Sequence, residues 1–90
     1  MHRRRGTSLL DWPLGQPTVF VATHAGPSLR HRLAHLGVRA GTTITPIQRT
    51  PGGGVVIAVG ELRVALDRKS VATIVVRDTE SREVEAGKSA

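Results

Sequence analysis

Short apolar runs separated by glycine, proline and polar residues fill the middle of the chain. Five of them are rich in β-branched residues and have the length of strands: 18–23, 42–50, 55–59, 62–66 and 72–76. In the fourth run, Leu62, Val64 and Leu66 alternate with the intervening residues, which predicts that one face of this strand is buried. The pattern therefore predicts a mainly β protein built from short antiparallel strands.

The residues between these runs predict how the strands are connected. Gly60 and Glu61 separate the third run from the fourth, and glycine at the first of two loop positions is typical of a type II′ hairpin. Pro46 interrupts the second run, and because proline cannot donate to a strand ladder we expect an edge or a bulge there. Closure of the sheet into a barrel would protect the edges of such apolar strands from pairing with other chains. We therefore expect a small five-stranded antiparallel β-barrel.

One helical pattern lies between the first two strands. Three leucines recur at i, i+4 and i+7 and form one apolar stripe: Leu29, Leu33 and Leu36. Ser28 is placed to be the N-cap of this helix. Gly37 stands where helices commonly end in a left-handed residue, and Val38 is placed to contact Leu33 across that end. The sequence thus predicts one short helix with a specified end.

Composition sets the boundaries of the domain and its environment. Residues 1–8 form a basic leader and residues 78–90 a polar tail, both without apolar periodicity, so we predict disordered ends around a folded domain at 9–77. The chain has no cysteine, which excludes disulfides, thiolate metal sites and cysteine nucleophiles. No apolar segment reaches the length of a signal peptide core or a membrane span. We expect a soluble, cytoplasmic protein.

The charge of the chain predicts a solvated basic surface, and an acidic partner or a membrane surface is the alternative. Thirteen Lys and Arg against seven Asp and Glu give a formal net charge of +6. Within 9–77 the basic residues are spread over strands, turns and the helix rather than concentrated in one segment. Trp12 and Phe20 are the only aromatic residues, too few for a surface on which bases stack. We therefore expect no nucleic acid partner.

Candidate metal chemistry is confined to histidines. His31 and His35 are four residues apart on the helix, a spacing that can chelate a metal, and they lie opposite the leucine stripe. The helix has no carboxylate, and Arg30 and Arg32 would repel a cation. We predict no tightly bound cofactor. Weak Fe²⁺ binding through these two histidines, with His24 as a further ligand, is kept as an alternative.

The sequence carries no catalytic motif. Glycines 52–54 are not followed by the Lys-Ser/Thr pair of a phosphate-binding loop, and no spacing of Ser, His and Asp supports a triad. The prediction is a protein that is not an enzyme.

Several motifs follow one another along the chain: Leu33-x-x-Leu36-Gly37-Val38-x-x-Gly41, then Arg49-x-Pro51, a Gly-rich loop, Gly60, and Leu62-x-Val64-Ala65-Leu66. Together they resemble the FeoA family, the small cytosolic proteins of bacterial ferrous iron uptake. The resemblance runs over 9–77, and the element LAHLGVRAG is its most specific part. Two residues depart from the family pattern: Pro46 replaces an apolar strand residue, and Asp67 replaces a basic residue.

This resemblance implies an SH3-like β-barrel that acts as an accessory protein of Fe²⁺ uptake. Its expected partner is a FeoB-type membrane transporter with a cytosolic GTPase domain, and membrane contact would come only through that partner. On this basis we expect the partner to contact the end of the helix, at Leu33, Leu36, Gly37, Val38, Arg39 and Gly41. The alternative is that Leu36 and Val38 only belong to the core and the helix cap. The residues expected to maintain the motif are Ser28, Gly37, Gly41, Pro51, Gly60 and Leu66.

Two alternatives stay open at this point. The chain is also similar to the C-terminal SH3-like domain of iron-dependent repressors, which implies a stand-alone regulatory domain. The histidines leave a weak carrier of transition metal ions as the other possibility.

Overall fold

Six strands and two short helices make up the computed structural model, which describes residues 6–79. The strands are β1 (Thr7–Ser8), β2 (Thr18–Thr23), β3 (Thr43–Arg49), β4 (Val55–Val59), β5 (Leu62–Leu66) and β6 (Ile74–Arg77). The helices are α1 (Pro27–His35) and α2 (Arg68–Ala72), and a single 3₁₀ turn spans Leu9–Asp11. Residues 1–5 and 80–90 lie outside the described part, so the predicted disorder of the leader and tail stays a prediction there.

All strands belong to one antiparallel sheet with the order β1-β6-β2-β3-β4-β5. This confirms the predicted antiparallel β architecture with a short helix after the first long strand. The predicted closure is wrong, because β1 and β5 are the two edges of an open sheet. The strand count is six rather than five, because Thr7 and Ser8, which the sequence placed in the leader, pair with Val76 and Val75.

The polar stretch before the last strand forms the helix α2, which the pattern of apolar residues did not predict. The Asp67 carboxylate accepts a 3.2 Å hydrogen bond from the Ser70 amide and caps α2. Val71 projects from this five-residue helix into the core and is fully buried. The last strand consequently begins at Ile74.

Two bulges bend the sheet. The pairing of β3 with β4 shifts between Pro46 and Gln48, which confirms the irregularity expected at the proline. The pairing of β2 with β6 shifts between Phe20 and Ala22, which was not predicted. The uninterrupted apolar run of β2 does not show which of its residues will be left unpaired by the neighbouring strand.

One hydrophobic cluster joins the inner face of the sheet, α1, α2 and the 3₁₀ turn. Its members are Leu9, Trp12, Phe20, Leu29, Leu33, Val38, Ile44, Val55, Ile57, Leu66, Val71, Ile74 and Val76. The predicted burial of β5 holds at Leu66 but is wrong at Leu62, which is 47% exposed. Leu62 lies at the tip of the β4–β5 hairpin, where no described element covers it.

That hairpin has the predicted two-residue connection. Val59 and Leu62 are directly paired, and Gly60 has φ +60° while Glu61 has a negative φ. This combination is the one expected for a type II′ turn. Within residues 6–79, no helix is both long enough and apolar enough to cross a membrane.

Candidate functional site

The helix α1 begins two residues earlier than the sequence predicted. Gly26 is its N-cap and Pro27 is its first residue, with no side-chain hydrogen bond to the cap. Proline suits this position because its fixed φ is helical and its missing N–H would have no partner there. The prediction of Ser28 as N-cap is therefore wrong, and its side chain is exposed in the first turn.

The end of α1 is a Schellman motif, with Gly37 at the left-handed position that the sequence predicted. Gly37 has φ +91°, and its amide donates to the Ala34 carbonyl oxygen at 3.0 Å. The amide of Val38 donates to the Leu33 carbonyl oxygen at 2.8 Å. These two bonds are the pair that defines the motif, so the helix stop read from the sequence is confirmed.

The turn after this stop is held by a dense set of hydrogen bonds. The Thr42 hydroxyl accepts from the Arg39 amide at 3.0 Å and donates to the Gly37 carbonyl oxygen at 3.3 Å. The Gly41 amide donates to the Phe20 carbonyl oxygen at 2.9 Å, which attaches the turn to β2. The turn is thus a rigid link between helix and sheet, and it presents Arg39 to solvent.

The six residues expected to contact a partner divide into two groups. Leu33 and Val38 are 1% and 2% exposed and belong to the core, so they cannot touch a partner in the folded protein. The same Schellman geometry that brings Val38 over Leu33 removes both from the surface. Leu36 is partly buried, and the other three are exposed: Gly37, Arg39 and Gly41. We call Leu36, Gly37, Arg39 and Gly41 the helix-end patch.

The histidines do not form a metal site with other ligands in the described structure. His31 and His35 are both exposed on α1, and His24 is exposed just after β2. Among residues 6–79, no group of three or more His, Asp or Glu side chains is placed to hold a metal ion. A site at α1 would therefore depend on two histidines.

The remaining motif residues lie in the β3–β5 region. Pro51 is exposed in the loop after β3, and Leu66 is in the core. This loop is closed by hydrogen bonds from the Thr50 amide to the Gly54 carbonyl oxygen at 3.0 Å and from the Gly53 amide to the Thr50 carbonyl oxygen at 2.9 Å. Sequence analysis missed the tightest position, Gly54, where a Cβ would collide with the Leu66 carbonyl oxygen.

A groove of about 350 Å³ runs between α1 and β2, and no sequence pattern had indicated it. Its apolar lining at the surface comes from small or β-branched residues: Val21, Ala22, Ala34 and Ala40. Arg30, His31 and Arg39 also line it, and none of its lining residues is acidic. We call this the α1–β2 groove.

The groove exists because β2 loses its strand neighbour on one side. β2 pairs with β6 as far as Thr23, but it pairs with β3 only through Thr18 and Val19. Beyond Phe20, the helix α1 lies beside β2 where a strand would otherwise continue. Because this departure is a tertiary event, the strand-like sequence TVFVAT carries no signal of it.

Comparison with known structures places this architecture. The chain is similar to the solution structure of FeoA from Chlorobium tepidum, with a TM-score of 0.74 at 20% identity over 80% of this chain and 70% of that one. It is also similar to Stenotrophomonas maltophilia FeoA complexed with zinc, with a TM-score of 0.64 at 28% identity over 78% of this chain and 88% of that one. That protein is described as a prokaryotic SH3 domain protein and proposed as a bacterial ferrous iron transport activating factor. The fold is therefore SH3-like, as expected.

A third likeness is to a regulatory protein. A manganese-dependent transcriptional repressor matches with a TM-score of 0.70 at 18% identity, over 84% of this chain but only 41% of the repressor. At this identity the likeness shows the fold alone. The search of curated proteins finds no match.

The family is decided by the sequence match over the whole described fold. A model of the FeoA domain matches residues 7–78, from β1 to the residue after β6. The chain therefore belongs to the FeoA family, whose small accessory domains are associated with ferrous iron transport.

Proposed function

We propose that this protein is a non-enzymatic accessory protein of bacterial ferrous iron uptake, which binds the cytosolic part of a FeoB-type GTPase transporter. The observation that carries the proposal is the FeoA match over residues 7–78. The description of the S. maltophilia relative as a proposed transport activating factor supports the same role. On this proposal the protein works in the cytoplasm and reaches the inner face of the membrane through its partner.

The helix-end patch has properties that suit such binding. Its backbone is fixed by the Schellman motif and by the Thr42 hydroxyl, so little conformational entropy is lost when a partner binds. Leu36 offers partly exposed apolar surface, and Arg39 adds a positive charge. Lys and Arg outnumber Asp and Glu by eight to four within residues 6–79, which favours encounter with an acidic surface.

Binding of this kind acts on the transporter through an equilibrium. An accessory protein shifts the nucleotide or gating states of its partner only to the extent that it binds one state more tightly than another. The fold supplies a rigid surface for that discrimination, and the proposal requires no chemistry from the protein itself.

The test is the affinity of this protein for the purified, detergent-solubilised FeoB-type transporter. The variant Leu36→Asp/Arg39→Glu alters the helix-end patch. Leu62→Asp/Arg63→Glu makes the same chemical changes on β5, where both side chains are exposed. We expect the first variant to lose at least tenfold in affinity and the second to bind like the parent. Absence of binding by the parent would overturn the proposed function.

A regulatory role in trans is the second candidate, as the resemblance to the SH3-like domain of iron-dependent repressors implies, and the manganese-dependent repressor shares the fold. In that case the protein would modify a DNA-bound repressor rather than a transporter. Titration of a repressor–operator complex with this protein, measured by fluorescence anisotropy, tests this role. A shift in operator affinity would favour it over transporter binding.

A further inference from the structure

We propose that the α1–β2 groove is a docking site for an extended acidic segment that inserts one apolar side chain. The identity of the partner rests on the proposed function, since the segment is expected on the transporter. The chemistry of the segment follows from the groove itself.

The apolar part of the groove indicates what it receives. Val21 is 36% exposed although it lies in the middle of a strand of the central sheet. Ala22, Ala34 and Ala40 beside it carry only a methyl group each, so the space between helix and strand is left open rather than filled. A concave apolar surface of this size, about 350 Å³, suits burial of a larger apolar side chain.

The charges around this surface indicate the flanking residues of the segment. Arg30 contributes a guanidinium from α1, and Arg39 contributes another from the rigid turn. The lining contains no carboxylate to neutralise them. Because guanidinium groups bind carboxylates through paired N–H donors, glutamate or aspartate next to the inserted apolar residue is the complementary chemistry.

The strand wall of the groove indicates an extended conformation. In the described sheet, Ala22 and Thr23 of β2 pair only with β6, and Val21 lies at the bulge between Phe20 and Ala22. A sheet edge of this kind is where extended peptides add, with alternate side chains entering neighbouring pockets. The helix α1 forms the opposite wall, so the segment would lie between α1 and β2.

The test uses synthetic peptides and the full chain. The probe peptide has one leucine flanked on each side by two glutamates. In one control peptide asparagine replaces the leucine, and in the other lysines replace the glutamates. Binding is followed by ¹H–¹⁵N chemical shifts and by calorimetry. We expect only the probe to bind, with the largest shifts at Val21, Ala22 and Ala34.

The chain offers a matched pair of charge reversals on one helix. Arg30 and Arg32 are both exposed on α1, but only Arg30 lines the α1–β2 groove. We expect Arg30→Glu to lower the affinity for the probe peptide at least tenfold and Arg32→Glu to change this affinity less than twofold. Ala34→Leu fills the groove without a change of charge, and we expect it to lower the affinity as much as Arg30→Glu does. Equal weakening by both reversals, or no binding by the parent, would overturn the inference.

The same variants separate this inference from the proposed function. If the transporter binds the parent and Arg30→Glu equally well, the groove is not its docking site although the proposed function stands. If the transporter does not bind the parent but the probe peptide binds in the groove, the proposed function fails and the groove serves another acidic partner. If Arg30→Glu and Ala34→Leu weaken binding of both the transporter and the probe peptide, and Arg32→Glu weakens neither, the result supports both the inference and the proposed function.

Discussion

The main-chain amide of Val38 donates a 2.8 Å hydrogen bond to the carbonyl oxygen of Leu33, and both side chains lie in the same core cluster. One pair of residues therefore ends the helix and anchors it to the sheet. The Val38–Leu33 contact also fixes the position of the turn that begins at Gly37. The exposed Arg39, which belongs to both the helix-end patch and the α1–β2 groove, is held in place by the same arrangement.

Replacing Gly37 with valine tests this helix end. A Cβ at Gly37 would meet no atom within 4 Å, so the cost comes from the backbone, which is held at φ +91°. We expect Gly37→Val to lower the free energy of unfolding by about 1–2 kcal/mol. Urea denaturation measures it, with Ala65→Val on the exposed side of β5 as a control that changes little. An unchanged value for Gly37→Val would contradict the assigned motif.

Substitution of Gly54 is predicted to be destabilising for a different reason, which is steric collision. A Cβ there would collide with the Leu66 carbonyl oxygen and approach Thr50 Oγ1 to 2.8 Å. Since backbone must move, we expect Gly54→Ala to cost about 1–3 kcal/mol of unfolding free energy. Gly52→Ala in the same loop meets no atom within 4 Å and serves as the matched control. Similar melting temperatures for the two variants would argue against this packing.

Asp67 is predicted to make stability depend on acid pH. Hydrogen bonds from Ser70 at the start of α2 hold the pKa of the Asp67 carboxyl below its ordinary value. Since the folded pKa is the lower one, the stabilisation is complete above the unfolded pKa and is lost as pH falls through the folded pKa. Thermal unfolding from neutral pH to about pH 2 covers this window.

The matched variant for this prediction is Asp67→Asn, which can cap α2 but does not titrate. We expect the stability advantage of the parent over this variant to be constant near neutral pH and to shrink below about pH 4. All other carboxyl groups are common to both proteins, so their titration cancels in the comparison. A difference that stays constant across the whole range would show that the capping bond does not favour the ionised carboxylate.

The two helix histidines are predicted to contribute little to metal binding. His31 and His35 are exposed, and within residues 6–79 no third ligand group joins them. Anaerobic calorimetry with Fe²⁺ on the parent and on His31→Ala/His35→Ala should give equal, weak heats. A saturable heat that disappears in the double variant would instead establish a metal site on α1 and favour the carrier alternative.

The helix-end patch and the α1–β2 groove differ in how far they could be anticipated. The positions of Gly37 and Val38 directly after the leucine stripe predict where the helix ends, so the turn that carries Arg39 could be predicted from the sequence. The burial of Val38 was inherent in the same motif, although the residue was also expected to contact a partner. The groove has no such local code, because its strand wall depends on where β3 leaves β2.

Local sequence patterns predicted the long strands, the helix and its end, the bulge at Pro46 and the Gly60 hairpin, because alternation, capping and turn preferences act between residues close in the chain. Long-range contacts instead set the pairing of Thr7 and Ser8 with β6, the open sheet, the exposure of Leu62 and the groove beside Val21. Each of these depends on which distant segments meet. Two polar residues become a strand, or a valine stays exposed, only because of the neighbour that the fold supplies or withholds.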